Sequence, residues 1–237
     1  MRFEPLKSSS KGNVYIISDD HTRILLECGV SYKELQTMTD FQISKFDGCI
    51  ISHEHGDHSK AAKQLIKSGM DVYMSYGTAE ALELPEAVFE MAKEMIAGQQ
   101  FTIGTIDVMP FGTFHDAKEP LGFLMQSRID NDIFAFATDT VNIPYNFPNV
   151  NLLALEANFE QERLDLCQKL PENKRHRISN THMEINMLCS CLQRMDLSKC
   201  RELYLLHLSD ATSHEGHFIN KVARVVPRHV KVTACPR

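Results

Sequence analysis

Apolar residues fall along this chain in short runs separated by polar or glycine-containing turns, with a few stretches at helical spacing between them. Residues 14–18 and 23–27 flank the polar Asp19-Asp20-His21 and read as paired strands, and 48–52 reads as a short buried strand. At 60–67 the spacing becomes helical and stops near Gly69, after which 72–74 returns to strand. Residues 86–95 are expected to form a second helix. Residues 101–108, 122–128 and 133–137 read as strands joined by tight turns, and 152–155 and 203–206 suit a buried sheet. At 184–195, Ile185, Leu188, Leu192 and Met195 share one helical face. No linker, repeat or low-complexity segment interrupts the pattern. It predicts one domain over 1–237, of α/β class, with halves at about 1–100 and 101–237, each rich in strands and followed by helices. Two sheets packed together with helices outside satisfy that order.

Composition narrows the function classes. With 237 residues, 43% apolar and 24% charged, the chain can bury a sizeable core. No stretch approaches the roughly 20 apolar residues of a membrane span. The start, MRFEPLKSSSKGN, lacks the apolar centre of a secretory signal, so a cytoplasmic location without a membrane partner is expected. The seven cysteines, odd in number and scattered, fit a reducing compartment; Cys189 and Cys191 read as helix packing residues. A net charge of −6 argues against a broad basic face that coats nucleic acid, yet allows a small focused site. The one local basic run is Lys174-Arg175-His176-Arg177.

The chemistry gathers after the strand at 48–52, in His53-Glu54-His55-Gly56-Asp57-His58. Neutral imidazole and carboxylate are the ligands that hold zinc and similar divalent ions. His53 and His55 alternate through Glu54 and face one side, while Asp57 and His58 follow the turn at Gly56 and reach the same space from another direction. Further candidates sit just after predicted strands, where open sheets place functional groups: His115-Asp116, Asp139 and His207. In order after the cluster they complete a set for two ions. By contrast, His214-Glu215-Gly216-His217 lacks the spacing that brings two histidines to one helix face, and is expected as a mobile loop near the site.

HEHGDH, followed by a later His, an Asp after an apolar strand and a last His after another, resembles the metallo-β-lactamase fold superfamily of dinuclear hydrolases. SSSKGN, TFHDAKEP, FATDT, LEANF, RISNTHM and LYLLHLSD are similar to successive landmarks of its YycJ/WalJ branch, whose characterised members are metal-dependent DNA exonucleases. The resemblance implies an αββα four-layer sandwich of two mixed sheets and two divalent ions, zinc or manganese. It implies that His53, His55 and His115 hold one ion, that Asp57, His58 and His207 hold the other, and that Asp139 bridges them. Two cations so close need an anionic bridge, and a water held between them becomes a nucleophile near neutral pH. Asp57 would orient that water and accept its proton.

Glu156 in LEANF and His182 in SNTHM stand in the order and spacing that the tRNA 3′-end-processing endonucleases of the superfamily use for a proton-donating pair. The catalytic expectation is therefore Asp57, His182 and Glu156. Substrate contacts are expected from His182, from Lys174, Arg175 and Arg177, and from Ser9 and Ser10 of SSSKGN. Phe159 stands where the exonuclease branch usually has His, and Thr181 where it has Gly. The expected substrate is a phosphodiester in DNA, RNA or a nucleotide. A thioester, lactone or β-lactam hydrolase on the same scaffold is the alternative, and a non-catalytic metal-binding protein is a third reading. Homo-oligomerisation is left open.

Overall fold

The computed structural model describes residues 1–237 as two sheets, face to face, between two layers of helices. The first sheet contains β1 (Arg2–Ser9), β2 (Gly12–Ser18), β3 (Arg23–Leu26), β4 (Gly48–Ile50), β5 (Val72–Met74) and β6 (Lys93–Glu94), in chain order. β1, β2 and β3 pair antiparallel, and β3 through β6 run parallel. The second sheet contains β7 (Phe101–Ile103), β8 (Ile106–Gly112), β9 (Leu121–Ser127), β10 (Ile133–Ala137), β11 (Leu152–Glu156), β12 (Glu202–Leu206) and β13 (Lys231–Ala234), with β13 at one edge and β7 at the other. β7 to β10 are antiparallel neighbours and β10 to β13 parallel ones. Both sheets are thus mixed, as expected.

Alternation along single strands creates the layers. On β10, Phe134 and Phe136 point into the core between the sheets, while Ala135 and Ala137 point into the core beneath the outer helices. On β2, Tyr15 and Ile17 face the second sheet, and Val14 and Ile16 face helices. A period of two with both faces apolar is what a doubly covered strand requires. One helical layer is built from α1 (Tyr32–Met38), α2 (Gly56–Ser59), α3 (Ala62–Lys67), α4 (Tyr76–Ala81) and α5 (Glu86–Phe89). The other contains α6 (Gln161–Asp165), α7 (Glu172–Thr181), α8 (Ile185–Arg194) and α9 (Glu215–Ala223). Ile185, Leu188 and Leu192 of α8 bury against Leu153, Leu155, Leu203 and Leu205, and Glu184 caps the helix through the N–H groups of Asn186 and Met187.

Several expectations change. Residues 86–95 are not one helix: α5 stops at Phe89, and Lys93–Glu94 joins the sheet edge beside β5, with the Met95 N–H donating to the Met74 carbonyl. Exposed parallel-edge groups outcompeted a modest helical preference. The expected strand 101–108 is a hairpin, turned at Gly104 with φ +54°, where a side chain would run into Thr22. β1 had no clear signal because Pro5 interrupts it, which an edge strand tolerates at its register shift. His214 to His217 is no loop. His214 caps α9, and His217 lies in its first turn with Nε2 2.9 Å from a Glu160 carboxylate oxygen. All seven cysteines are free, and Cys189 and Cys191 pack under α8. No helix is long and apolar enough to cross a membrane.

Candidate metal and catalytic site

The carboxyl ends of β4, β10, β11 and β12 open on one edge of the sandwich, where side chains leave the sheets without competing for ladder hydrogen bonds. β4 runs into Ser52-His53-Glu54-His55, and α2 then starts at Gly56 with Asp57 and His58 in its first turn. β8 leads to His115, β10 to Asp139, β11 ends on Glu156, and β12 leads to His207. Asp139 and His207 have φ of +46° and +52°, as does Glu27 at +63° behind them. Such backbone is costly for residues with a Cβ and persists only where packing holds it.

All seven residues of the expected ligand set converge. His53 Nε2 and His115 Nε2 each lie 3.1 Å from His55 Nδ1, and Asp139 Oδ2 is 3.9 and 3.5 Å from the first two. On the other side, Asp57 Oδ2 lies 3.6 Å from both His58 Nε2 and His207 Nε2, and Asp139 Oδ2 is 3.5 Å from His58 Nε2. Donor groups therefore meet at one carboxylate. His53, His55, His115 and Asp139 form one, Asp57, His58 and His207 another, and Asp139, Glu156, His182 and His207 a third, each with ligand atoms within 4.8 Å of one another.

The protons fit a metal. His115 Nδ1 is 2.7 Å from the Thr181 carbonyl, which only accepts, so that nitrogen carries the hydrogen and Nε2 offers its lone pair to the site. Burial, with the charge of His58, holds His53 well below the ordinary histidine range, and burial likewise lowers His115. Neutral rings are the metal-binding form; His58 departs from it, since its burial is outweighed by Asp139 and Glu27, which hold it well above the ordinary histidine range. For Asp139 burial opposes ionisation, but the charges and hydrogen bonds of His207 and His58 outweigh it and keep the carboxylate well below its usual range. His207 Nδ1 is 2.5 Å from Asp139 Oδ1, and Thr138 Oγ1 donates to the same oxygen at 2.8 Å.

Beside this centre, His182 Nδ1 donates to Glu156 Oε1 at 2.6 Å, and Glu156 Oε2 accepts the N–H groups of Thr140 and Met183 at 2.8 and 3.0 Å. Burial would lower the pKa of His182; the charge and hydrogen bond of Glu156, with Asp139 further away, reverse this and raise it to about 9. His182 caps the end of α7 and lines a cavity of about 400 Å³ with Asp57, His55, Asp139 and His207. Lys174 and Arg177, one turn apart on α7, and Ser10 also line it. Arg177 is held by Asp116, at 2.6 and 2.9 Å.

Two expected substrate contacts do not face the cavity. Arg175 turns away and donates to the carbonyls of Cys167 and Leu170, and Ser9 is buried with its hydroxyl accepting from the Lys11 N–H. The basic run is helical, so neighbours diverge and only its first and fourth members reach the site. Phe159 is buried with Leu164 and Ile178 under α6 and α7. Glu27 escaped the sequence reading: this fully buried carboxylate accepts from Ser52 N–H at 3.2 Å and sits 3.6 Å from His58 Nδ1. Its signal was a charged residue closing the apolar Ile24-Leu25-Leu26, the feature that flagged Asp139.

A family model described as a beta-lactamase superfamily domain matches residues 22–208. The exodeoxyribonuclease YycJ of Bacillus anthracis is 27% identical over 220 residues, which covers 88% of this chain and 83% of that protein. Among solved structures, the metallo-β-lactamase fold protein YhfI from Bacillus subtilis superposes with a TM-score of 0.71 at 15% identity, covering 99% of this chain and 97% of that one. The short form of human tRNase Z superposes with a TM-score of 0.66 at 14% identity, covering 100% and 96%. Matched by its family model across most of its length, and built as two mixed sheets between helices, the chain belongs to the β-lactamase superfamily.

Proposed function

We propose that this metal-dependent hydrolase cleaves phosphodiester bonds in nucleic acid, and that DNA, the polymer in the name of its 27%-identical relative, is the first candidate. The observation that carries the reading is the His182–Glu156 pair, which lines one cavity with Lys174 and Arg177 beside the first two donor groups. A phosphodiester brings a negative charge and a poor alkoxide leaving group. It therefore needs cations to hold the phosphate and an acid to protonate the departing oxygen. A thioester or lactone needs neither basic side chain.

His53, His55, His115 and Asp139 would hold one zinc or manganese ion, and Asp57, His58, His207 and Asp139 a second. Bound there, the ions supply a water of lowered pKa and Lewis-acid polarisation of the phosphoryl group. Asp57, which keeps part of its carboxylate open to the cavity, orients the attacking water and takes its proton. Lys174 and Arg177 hold non-bridging or neighbouring phosphate oxygens. His182, kept protonated by Glu156, donates from Nε2 to the leaving oxygen. A cavity of about 400 Å³ lies in the lower part of the range for small-molecule sites, room for a nucleotide of a single strand or a frayed end.

The test is a substrate panel with the purified protein loaded with manganese or zinc: end-labelled DNA and RNA, cyclic nucleotides, bis-p-nitrophenyl phosphate, a thioester and a lactone. Turnover of polymeric phosphodiesters well above the acyl substrates is expected. Efficient thioester or lactone hydrolysis with no phosphodiester turnover would overturn the reading.

A further inference from the structure

Four residues of the first hairpin and β12 form a hydrogen-bond chain whose direction can be worked out bond by bond. The Asn13 amide nitrogen is 3.1 Å from the Asp57 carbonyl, which only accepts, so Asn13 Oδ1 is turned the other way and must be an acceptor. Its donor is the Tyr15 hydroxyl, at 2.9 Å. Tyr15 has then used its single hydrogen, so the Ser8 hydroxyl, 2.7 Å away, donates to Tyr15. Ser8 Oγ in turn accepts the backbone N–H of His207 at 2.8 Å. Ser8, Asn13 and Tyr15 are all buried, so each bond is shielded from competing water.

The chain thus begins at the backbone of His207 and ends at the Asp57 carbonyl and the His58 ring. These are the three residues of one donor group, and they come from two different sheets. The other group is supported elsewhere: His53 Nδ1 by Ser52 Oγ at 2.8 Å and His115 Nδ1 by the Thr181 carbonyl. Nothing in the hairpin touches His53, His55 or His115 through these bonds.

We infer that Ser8, Asn13 and Tyr15 are positioning residues for Asp57, His58 and His207, so that the two ions of the proposed centre, which share Asp139, otherwise rest on separate supports and loss of the chain weakens one ion more than the other. The inference rests on the dinuclear reading above. The chain sets the spacing between His207 and the Asp57–His58 turn, and groups that orient metal ligands are typically worth about 10- to 100-fold in affinity. Tyr15→Phe is the informative variant, because it keeps the ring that packs between Phe3 and Phe136 and removes only the hydroxyl. Asn13→Ala is less clean. The Asn13 amide nitrogen also lies 3.1 Å from His58 Nε2, so its removal changes a second contact at the ligand atom itself.

The test is calorimetric titration of metal-free wild-type protein, Tyr15→Phe and Ser8→Ala with manganese and with zinc, with thermal melts of the metal-free forms. Wild type should bind two ions, and each variant should bind one of them about 10- to 100-fold more weakly and the other with a distinctly smaller change, passed on through the shared Asp139. Equal weakening of both ions, or no change in either while wild type binds two, overturns the positioning role and leaves the dinuclear reading standing. A wild-type stoichiometry of one overturns the dinuclear reading and this inference together. Should Tyr15→Phe melt far below wild type, Ser8→Ala decides, since it leaves the aromatic packing untouched.

Discussion

Replacing Glu156 with Gln tests the proposed acid. The side chain is fully buried and keeps its volume, and its Oε2 position receives two backbone N–H groups, so the glutamine carbonyl belongs there. The amide NH₂ then faces His182 Nδ1, which must accept instead of donate. Burial disfavours the imidazolium, and Glu156 supplies the largest opposing influence; without its charge the ring falls from about 9 to its ordinary 6.5 or lower. At about pH 7.5 the protonated fraction drops from about 0.97 to about 0.09 or less, roughly a tenfold loss, or ~1.4 kcal/mol of barrier. Misorientation of the ring adds to this, within the roughly 10²- to 10⁴-fold range of general acid catalysis. The sign is specific. The acid form is lost as pH rises, so the falling limb of kcat/KM lies at higher pH in wild type than in the variant. Divalent ions at Asp139 oppose the imidazolium and pull both limbs down without changing their order. The assay is kcat/KM on a labelled oligonucleotide from about pH 5.5 to 9.5, with metal content measured alongside. A loss of the same size at every pH, or an unmoved limb, refutes the reasoning.

Asp57→Ala should abolish hydrolysis of every substrate and leave the metal-free melting behaviour within about 0.5 kcal/mol of wild type, because the carboxylate makes no hydrogen bond that the fold relies on; a large loss of apo stability would assign it a structural role. Wild-type protein saturated with zinc or manganese and freed of excess should carry more than one ion per chain, and a ceiling of one sinks the dinuclear reading. Arg177→Ala should raise KM for DNA several-fold and flatten its salt dependence by about one charge, with a smaller effect on kcat; an unchanged salt slope would mean that Arg177 stays paired with Asp116 and never meets the phosphate.

How the site was legible depends on the range of each contact. HEHGDH could be read because its four expected ligands lie within one strand end and one helical turn, where spacing alone sets direction. Asp139 and His207 were legible because a polar residue that closes a buried apolar run has few other places to go than the open end of a sheet, whereas Glu156 and His182 were legible through the resemblance to the tRNA 3′-end-processing pair. Two packed sheets with helices outside followed from two strand-rich halves, each trailed by helices, and their mixed pairing from the family resemblance. Tertiary structure decided what no spacing encodes. Helix α7 rotates Lys174 and Arg177 into the cavity and Arg175 out of it, and the docking of that helix sets the phase. Residues 86–95 look helical locally, yet the helix stops at Phe89 and Lys93–Glu94 became sheet edge because β5 offered unpaired backbone groups. Ser8 and Asn13 were visible as part of the SSSKGN landmark and Tyr15 as a strand residue, with no role attached; only when the sheets close does Ser8 meet the backbone of His207, 199 residues away. A hydrogen bond of that range is specified by the packing of both sheets, and pairwise sequence pattern carries no trace of it.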